Sequence, residues 1–372
     1  MNYRERFKAA MRHERVDRPP MDLAGTSLNA IEDEHSVRLL AECLGFHEPY
    51  DGWYKKFDER ILKRLDIDFR RAGDILSPAS PLARNISAVR RVDCWGVERA
   101  YTGRYWDIVD PPLRGAETED LENYPWPKAS DIDKTQIAEI ARQAKHLYEE
   151  TDYVICGEHP VFGVFELGCW MCGFDDFLLK MALDPQFVFA FFDKVLHYQK
   201  EVIELYYGAI GRYIHLTTSG DDFGMQTGPF FSTRMFAEMI IPYYAERIRY
   251  TKQFTDAYYL HHTCGAVFPL IPDLIGAGAD ILNPIQPGAK DMEPDKLKRA
   301  YGDRIVFHGG IDTQHLLPEG TPEEVAAGVR GVLDAMGPDG GYILSAAHNI
   351  QSDVPPENIA AIFIEGKRLQ RN

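Results

Sequence analysis

The stretch from Tyr258 to Gln286, YYLHHTCGAVFPLIPDLIGAGADILNPIQ, reads as strand, loop, helix and strand. A short apolar run over 257–261 ends in His-His-Thr-Cys-Gly. The spacing predicts a helix over 267–276, closed by Gly278 as a left-handed C′ residue. A second apolar run, 280–286, ends in Asn-Pro-Ile-Gln. His262 and Cys264 therefore fall where a strand gives way to its loop. In a β/α barrel that edge is the catalytic rim.

The same unit recurs on both sides. Short apolar runs lie at 20–25, 67–73, 153–157, 213–219, 304–310 and 341–346, with helical periodicity between them. Helices are predicted over 2–13, 31–44, 54–65, 131–151, 165–208, 232–254, 294–301 and 322–336, with a last one from about Pro356. Ser232 or Thr233 and the pair Thr321-Pro322 supply start signals. Eight strands alternating with helices imply parallel neighbours and right-handed crossovers. The expected fold is α/β, a closed (β/α)8 TIM barrel, as a single domain over 1–372. An open doubly wound sheet is the alternative. It would usually carry a glycine-rich phosphate loop after strand one, and PMDLAGTSLNAI has no GxGxxG. The rhythm breaks over 76–130, where 89–114 alternates aromatic and polar residues around Gly96 and Gly103. This reads as a β-hairpin excursion over one barrel mouth.

Composition narrows the function classes. The 372 residues are 45% hydrophobic, enough for a large core, and carry a formal net charge of −16. Such a chain has no electrostatic footprint for nucleic acid. No apolar run approaches a membrane span, and the N-terminal residues lack a secretory h-region. Six irregularly spaced cysteines do not make a disulfide framework. The expectation is a cytoplasmic protein with reduced thiols and a small-molecule substrate.

Strand ends are where barrel chemistry sits, and here they are polar: Arg70 and Arg71; Glu158 and His159; Asp221 and Asp222; His261, His262 and Cys264; Asn283 and Gln286; His308 and Asp312; His348 and Asn349. His262 and Cys264, two apart, share one face at strand spacing. Imidazole with thiolate favours Zn2+ over hard cations. A catalytic zinc needs three protein ligands and an open position. His348 is the third candidate, with Glu166 or Asp222 as a fourth. The plain alternative is a Cys packed beside Gly265 and a His bonded to backbone. Asp222 and His348 are the candidate catalytic groups. Of Asp221 and Asp222, adjacent on a strand, only one faces the site; the other reading of the pair is a helix cap or turn. Glu166, Asp221, Asn283, Gln286 and Arg70 are candidate substrate-binding residues. Arg70-Arg71 either binds a carboxylate or pairs with Asp66 or Asp68. Cys169-Trp-Met-Cys172 lies in an apolar helical segment and reads as core packing. Trp95, Tyr101, Tyr105 and Trp106 read as the insertion's own small core, with a substrate mouth as the alternative.

Four segments carry a resemblance over most of the chain: GDDFGMQTGPFFSTRMFAEMIIPYY from Gly220, HHTCGAVFPLIPDLIGAGADILNPIQP from His261, FHGGIDTQHLLPEGTPEEV from Phe307 and GGYILSAAHNIQSDVPPENI from Gly340. Together they resemble the uroporphyrinogen decarboxylase superfamily, whose fold is the (β/α)8 barrel. That superfamily holds decarboxylases and cobalamin-dependent methyltransferases. The decarboxylases' mark is an N-terminal arginine-rich segment. The equivalent here, PPMDLAGTSLNAIEDEH, has no arginine before Arg38, which argues against a porphyrinogen. The methyltransferases' mark is His-x-Cys after strand five and a late Cys after strand eight, together binding zinc. The first half is matched by His262 and Cys264; no cysteine follows Cys264, and His348 stands in the late position. The resemblance to the methyltransferase branch implies transfer of a methyl group between a small methylated compound and a corrinoid (cobalamin) carried by a partner protein. The chain has no DxHxxG motif of its own. The resemblance also implies a homodimer. The alternative is a metal-free decarboxylase or lyase acting on a non-porphyrin carboxylate.

Overall fold

A computed structural model describes residues 1–103, 106–337 and 339–368. In chain order the elements are α1 (Tyr3–Met11), α2 (Glu34–Cys43), α3 (Glu59–Arg64), β1 (Phe69–Ala72), β2 (Arg84–Ser87), β3 (Arg90–Val92), β4 (Glu98–Tyr101), β5 (Trp106–Asp110) and α4 (Thr118–Asn123). Then come α5 (Lys134–Glu150), β6 (Val154–Gly157), α6 (Val164–Cys172), α7 (Phe174–Leu183), α8 (Pro185–Ile210), β7 (Leu216–Gly220), β8 (Gly224–Met225), β9 (Gly228–Pro229), α9 (Thr233–Met235) and α10 (Ile241–Thr251). The chain closes with β10 (Tyr258–His262), α11 (Ile271–Ala277), β11 (Ile281–Ile285), α12 (Pro294–Tyr301), β12 (Val306–Ile311), α13 (Leu316–Glu319), α14 (Pro322–Met336), β13 (Tyr342–Ala346) and α15 (Pro356–Arg368).

Seven strands form one parallel sheet in the order β1-β6-β7-β10-β11-β12-β13, so spatial order follows chain order. Helices cross between them, as the alternating pattern requires. The first expected strand, 20–25, is reduced to a bridge. Met21 pairs in parallel with Leu344 of β13, and the Asp68 N–H just ahead of β1 donates to the Met21 carbonyl at 3.0 Å. Pro19 and Pro20 offer no N–H, so a longer ladder cannot form there. The long helical block 165–208 is three helices: Gly173 breaks it with φ +92°, and Pro185 opens α8 at its first position. Ser232 caps α9, Thr321 caps α14 in a capping box, and Gly278 ends α11 at φ +106°.

The excursion is larger than one hairpin. β2 to β5 make a four-stranded antiparallel sheet between β1 and β6. Trp95 does not serve a separate core. It is buried edge-on to Tyr198 of α8, ring centroids 5.0 Å apart, and joins the main hydrophobic core with Val97 and Leu113. Tyr101 and Trp106 pair with each other at 5.6 Å, and Tyr105 lies outside the described residues.

Strand alternation sorts the inward side chains into two layers. Phe69, Val154, Leu216, Leu260, Ile281, Val306 and Ile343 form an apolar layer, closed from below by Phe7 and Met11 of α1. Burying that layer drives the sheet to curl around it, at about 25 cal/mol per Å2 of apolar surface. Two residues further along, the inward positions of six of the seven strands turn polar, Arg71, Thr218, His262, Asn283, His308 and Ser345, while β6 keeps Cys156 in the apolar layer. Among the described residues no helix is long and apolar enough to cross a membrane. All six cysteines are free.

Candidate active site

The polar layer is organised around β10. Leu260 faces inward, so His262 does too, while His261 points outward to Ser219 and lies against the Tyr244 ring. Past His262 the loop turns at Gly265, at φ +85°, a conformation that favours glycine. A Cβ there would sit 2.4 Å from the Gly224 carbonyl oxygen. Only glycine lets this loop press against β8 and hold Cys264 over the strand end. The Gly265 N–H donates to Gln286 Oε1 at 2.9 Å, and the Cys264 N–H donates to Asp222 Oδ1 at 2.8 Å.

Three donor atoms converge there. His262 Nε2 is 3.4 Å from Cys264 Sγ, and ligating atoms of His262, Cys264 and His348 all lie within 4.8 Å of one another. The rings of His262 and His348 are 5.6 Å apart. Behind His262 runs a buried relay. His262 Nδ1 meets Asn283 Oδ1 at 2.5 Å, Asn283 Nδ2 meets His308 Nδ1 at 2.7 Å, and His308 Nε2 meets Asp22 Oδ2 at 2.9 Å. The Asp22 carboxylate accepts only, so His308 carries its proton on Nε2 and accepts on Nδ1. Asn283 must then donate to His308 and accept from His262. The His262 proton is fixed on Nδ1, and the Nε2 lone pair points at the cluster. Fixing a ligand's tautomer through the far ring nitrogen is what supporting residues do at metal sites.

The electrostatics suit a cation. Burial lowers the pKa of His262, and it lowers that of His348 to about 4, with His262 adding to the effect. Both imidazoles are neutral at pH 7, as ligation requires. Burial, then Asp222 and Glu166, push the Cys264 thiol well above its ordinary pKa. A bound cation reverses that, because a coordinated thiol deprotonates. Tetrahedral zinc with bonds of about 2.0–2.3 Å spaces its ligands roughly 3.3–3.6 Å apart. The His262–Cys264 pair already fits, and His348 reaches it by closing about an ångström. The residues present therefore fit zinc with an open fourth position. The cluster borders a cavity of about 700 Å3 lined by Gly224, Phe230, Gln286 and Asn349 beside Cys264 and His348.

The acidic pair divides its work. Both oxygens of Asp221 accept N–H bonds from the start of α6, Phe165 at 3.1 Å and Glu166 at 2.7 Å. It anchors that helix and does not enter the cavity; burial raises its pKa to about 7. Asp222 faces the cluster, with Oδ1 3.8 Å from His262 Nε2. Glu166, in the first turn of α6, has its pKa raised well above normal by burial and then by Asp222 and Asp221.

Arg70 is not brought to the site. It points outward, fully buried, with Nε 2.7 Å and Nη2 3.1 Å from the Glu59 carboxylate, over the Tyr153 ring. Neither Asp66 nor Asp68 is its partner; those two take Arg18. Arg71 is the inward member, 3.4 Å from Glu158. Cys169 and Cys172 are buried in α6. Sequence reasoning missed Asp22 as a supporting residue. Its signal was a carboxylate inside the apolar run PMDLAG.

A curled parallel α/β sheet with an imidazole–thiol cluster at its strand ends defines a site-bearing barrel-type fold. The chain belongs to the uroporphyrinogen decarboxylase (URO-D) family, whose sequence profile matches residues 107–368. It is 35% identical over 71 residues to the uroporphyrinogen decarboxylase of Azoarcus sp. (strain BH72), a match covering 19% of this chain and 19% of that protein. It is 37% identical over 67 residues to that of Pseudoalteromonas translucida (strain TAC 125), covering 18% of each. These matches thus span about a fifth of the relatives' length. In fold it is similar to a methyltransferase from Methanosarcina mazei, with a TM-score of 0.66, 15% identity and 99% of both chains covered.

Proposed function

We propose that the protein is the methyltransferase component of a corrinoid-dependent system. It would move a methyl group between a small methylated compound and a corrinoid protein, from a closed (β/α)8 barrel with zinc held by His262, Cys264 and His348. The observation that carries this reading is the convergence of those three donors, with His262 fixed in the ligating tautomer. Zinc there would polarise the heteroatom that carries the methyl group, or hold a thiolate acceptor. The transfer balances simply. A corrinoid carried by the partner would provide the electron pair for the new bond to the methyl carbon, while the heteroatom would keep the old bonding pair and need a proton. Glu166, whose pKa burial and then Asp222 and Asp221 raise well above normal, would give that proton. Asp222 holds the Cys264 loop by its backbone and adds negative charge beside the cation. Asn283 fixes His262, and Gln286 holds Gly265 at the cavity wall.

The test is methyl transfer to free cob(I)alamin from a panel of methyl ethers, methyl thiols and methylamines, followed by the loss of cob(I)alamin absorbance. Turnover that vanishes in Cys264→Ser supports the proposal. Equal turnover in that variant contradicts it. The second reading, a metal-free decarboxylase or lyase using Asp222 and His348, is favoured by the names of the relatives with local identity. It predicts CO2 release from a non-porphyrin carboxylate that chelators leave untouched.

A further inference from the structure

The antiparallel sheet β2–β5 carries an arrangement that folding alone does not favour. Arg91 of β3 and Arg99 of β4 are direct register partners, so two guanidinium groups leave the same face side by side. Like charges directly opposite destabilise a strand pair. The nearby acids do not cancel both: Glu98 pairs with Arg90, and Asp93 reaches only Arg99, with Oδ2 3.3 Å from Nε. Among the described residues Arg91 has no ion-pair partner, and the terminal nitrogens of Arg99 have no hydrogen-bond acceptor.

Both arginines are nevertheless held in place by indoles. Arg91 lies 4.2 Å over the Trp106 ring, and Arg99 lies 4.6 Å over the Trp170 ring. Trp170 belongs to α6, and Glu166 is one turn before it on the same face. Arg99 is therefore suspended over the helix that carries the site's acid, and its positive charge opposes the rise in the Glu166 pKa. Phe162 packs edge-on against Trp170 at 4.5 Å and extends the apolar surface beneath. The Arg99 side chain is 16% exposed, so a partner there would be largely removed from water.

We infer that Arg99, assisted by Arg91, receives the carboxylate of a small substrate whose flat apolar frame lies along Trp170 and Phe162, with its reacting end toward Glu166 and Cys264. An arginine fork matches a carboxylate with two parallel hydrogen bonds. A bound anion would also relieve the repulsion across the strands. Calling that substrate methylated rests on the methyl-transfer proposal; the carboxylate subsite does not.

The experiment is calorimetric titration of the full-length protein with benzoate, and with benzamide as its neutral twin. Wild-type protein is expected to bind benzoate and to bind benzamide at least ten-fold more weakly. Arg99→Gln should weaken benzoate binding at least ten-fold and Arg91→Gln several-fold, with benzamide binding unmoved. Asp93→Asn frees the Arg99 fork and should strengthen benzoate binding several-fold, a gain that misfolding cannot imitate. Benzoate binding that is absent, matched by benzamide, or unchanged in Arg99→Gln overturns the inference. Zinc content, measured on the same samples, separates the two proposals. Arginine-dependent benzoate binding by zinc-free protein would sink methyl transfer and keep the subsite; zinc-loaded protein indifferent to Arg99 would do the reverse.

Discussion

Asn283→Leu cuts the relay behind His262 at its centre. The side chain it replaces is buried, 2% exposed, and makes two hydrogen bonds at 2.5 and 2.7 Å. Leucine is of similar size, so packing changes little, but two polar partners lose their mates. The His262 Nδ1–H and the His308 Nδ1 lone pair are both left in a dry interior, each at about 1–3 kcal/mol. The fold should therefore lose roughly 2–6 kcal/mol, read as a fall in the unfolding midpoint. The His262 ring also loses its fixed tautomer. Loss of such support typically costs about 10–100-fold in metal affinity, or about 1.4–2.8 kcal/mol. The assay is zinc competition against a chromophoric chelator, on protein shown to be folded. His308→Asn, one link further out, should give a smaller loss in the same direction. Asn283→Leu protein that holds zinc as tightly as wild type would refute the relay as the device that orients His262.

Three further outcomes follow from the same geometry. Arg70→Met removes the close, buried partner of Glu59 and leaves that carboxylate only the exposed Lys63 ammonium at 3.7 Å, so stability should fall by about 3 kcal/mol, while zinc content per folded chain stays constant; a change in substrate KM without a change in stability would show that Arg70 serves the site after all. Gly265→Ala forces a side chain into φ +85° and against the Gly224 carbonyl; it should cost about 1–3 kcal/mol in backbone strain alone and release zinc by displacing Cys264, whereas retained zinc would mean that the loop has slack. His215, half-buried just ahead of β7, has its pKa lowered to about 3, first by burial and then by Arg4 and Lys8. Its neutral form is favoured by the folded state, so its contribution is present above the unfolded pKa of about 6.5 and is lost as pH falls from there toward 3. That contribution should fall by about 2 kcal/mol between pH 7 and pH 5; His215→Asn, which keeps an acceptor for the Ile155 N–H, should flatten the slope, and an unchanged slope would clear His215 of the effect.

The alternating runs disclosed the parallel sheet because buried parallel strands must be apolar and short, and their ends must turn polar. His262 and Cys264 stood out for the same reason. The choice between Arg70 and Arg71 was not legible: neighbours on a strand face opposite ways, and two identical side chains give no phase. Phe69 and Arg71 share the inward face only because Phe69 packs in the apolar layer. The relay was hidden for a different reason. Asp22 and His308 are 286 positions apart and meet only because the Met21 bridge carries the first segment beside β13. The excursion looked like one hairpin because its turns are short and one strand, Arg84–Ser87, is wholly exposed and so lacks apolar alternation.

The most direct measurement is the zinc content of untagged protein, purified without chelators, alongside Cys264→Ser and His348→Ala. The account predicts close to one zinc per wild-type chain and little in either variant, with all three proteins folded. Folded wild-type protein without zinc, or variants that keep a full complement, would contradict it.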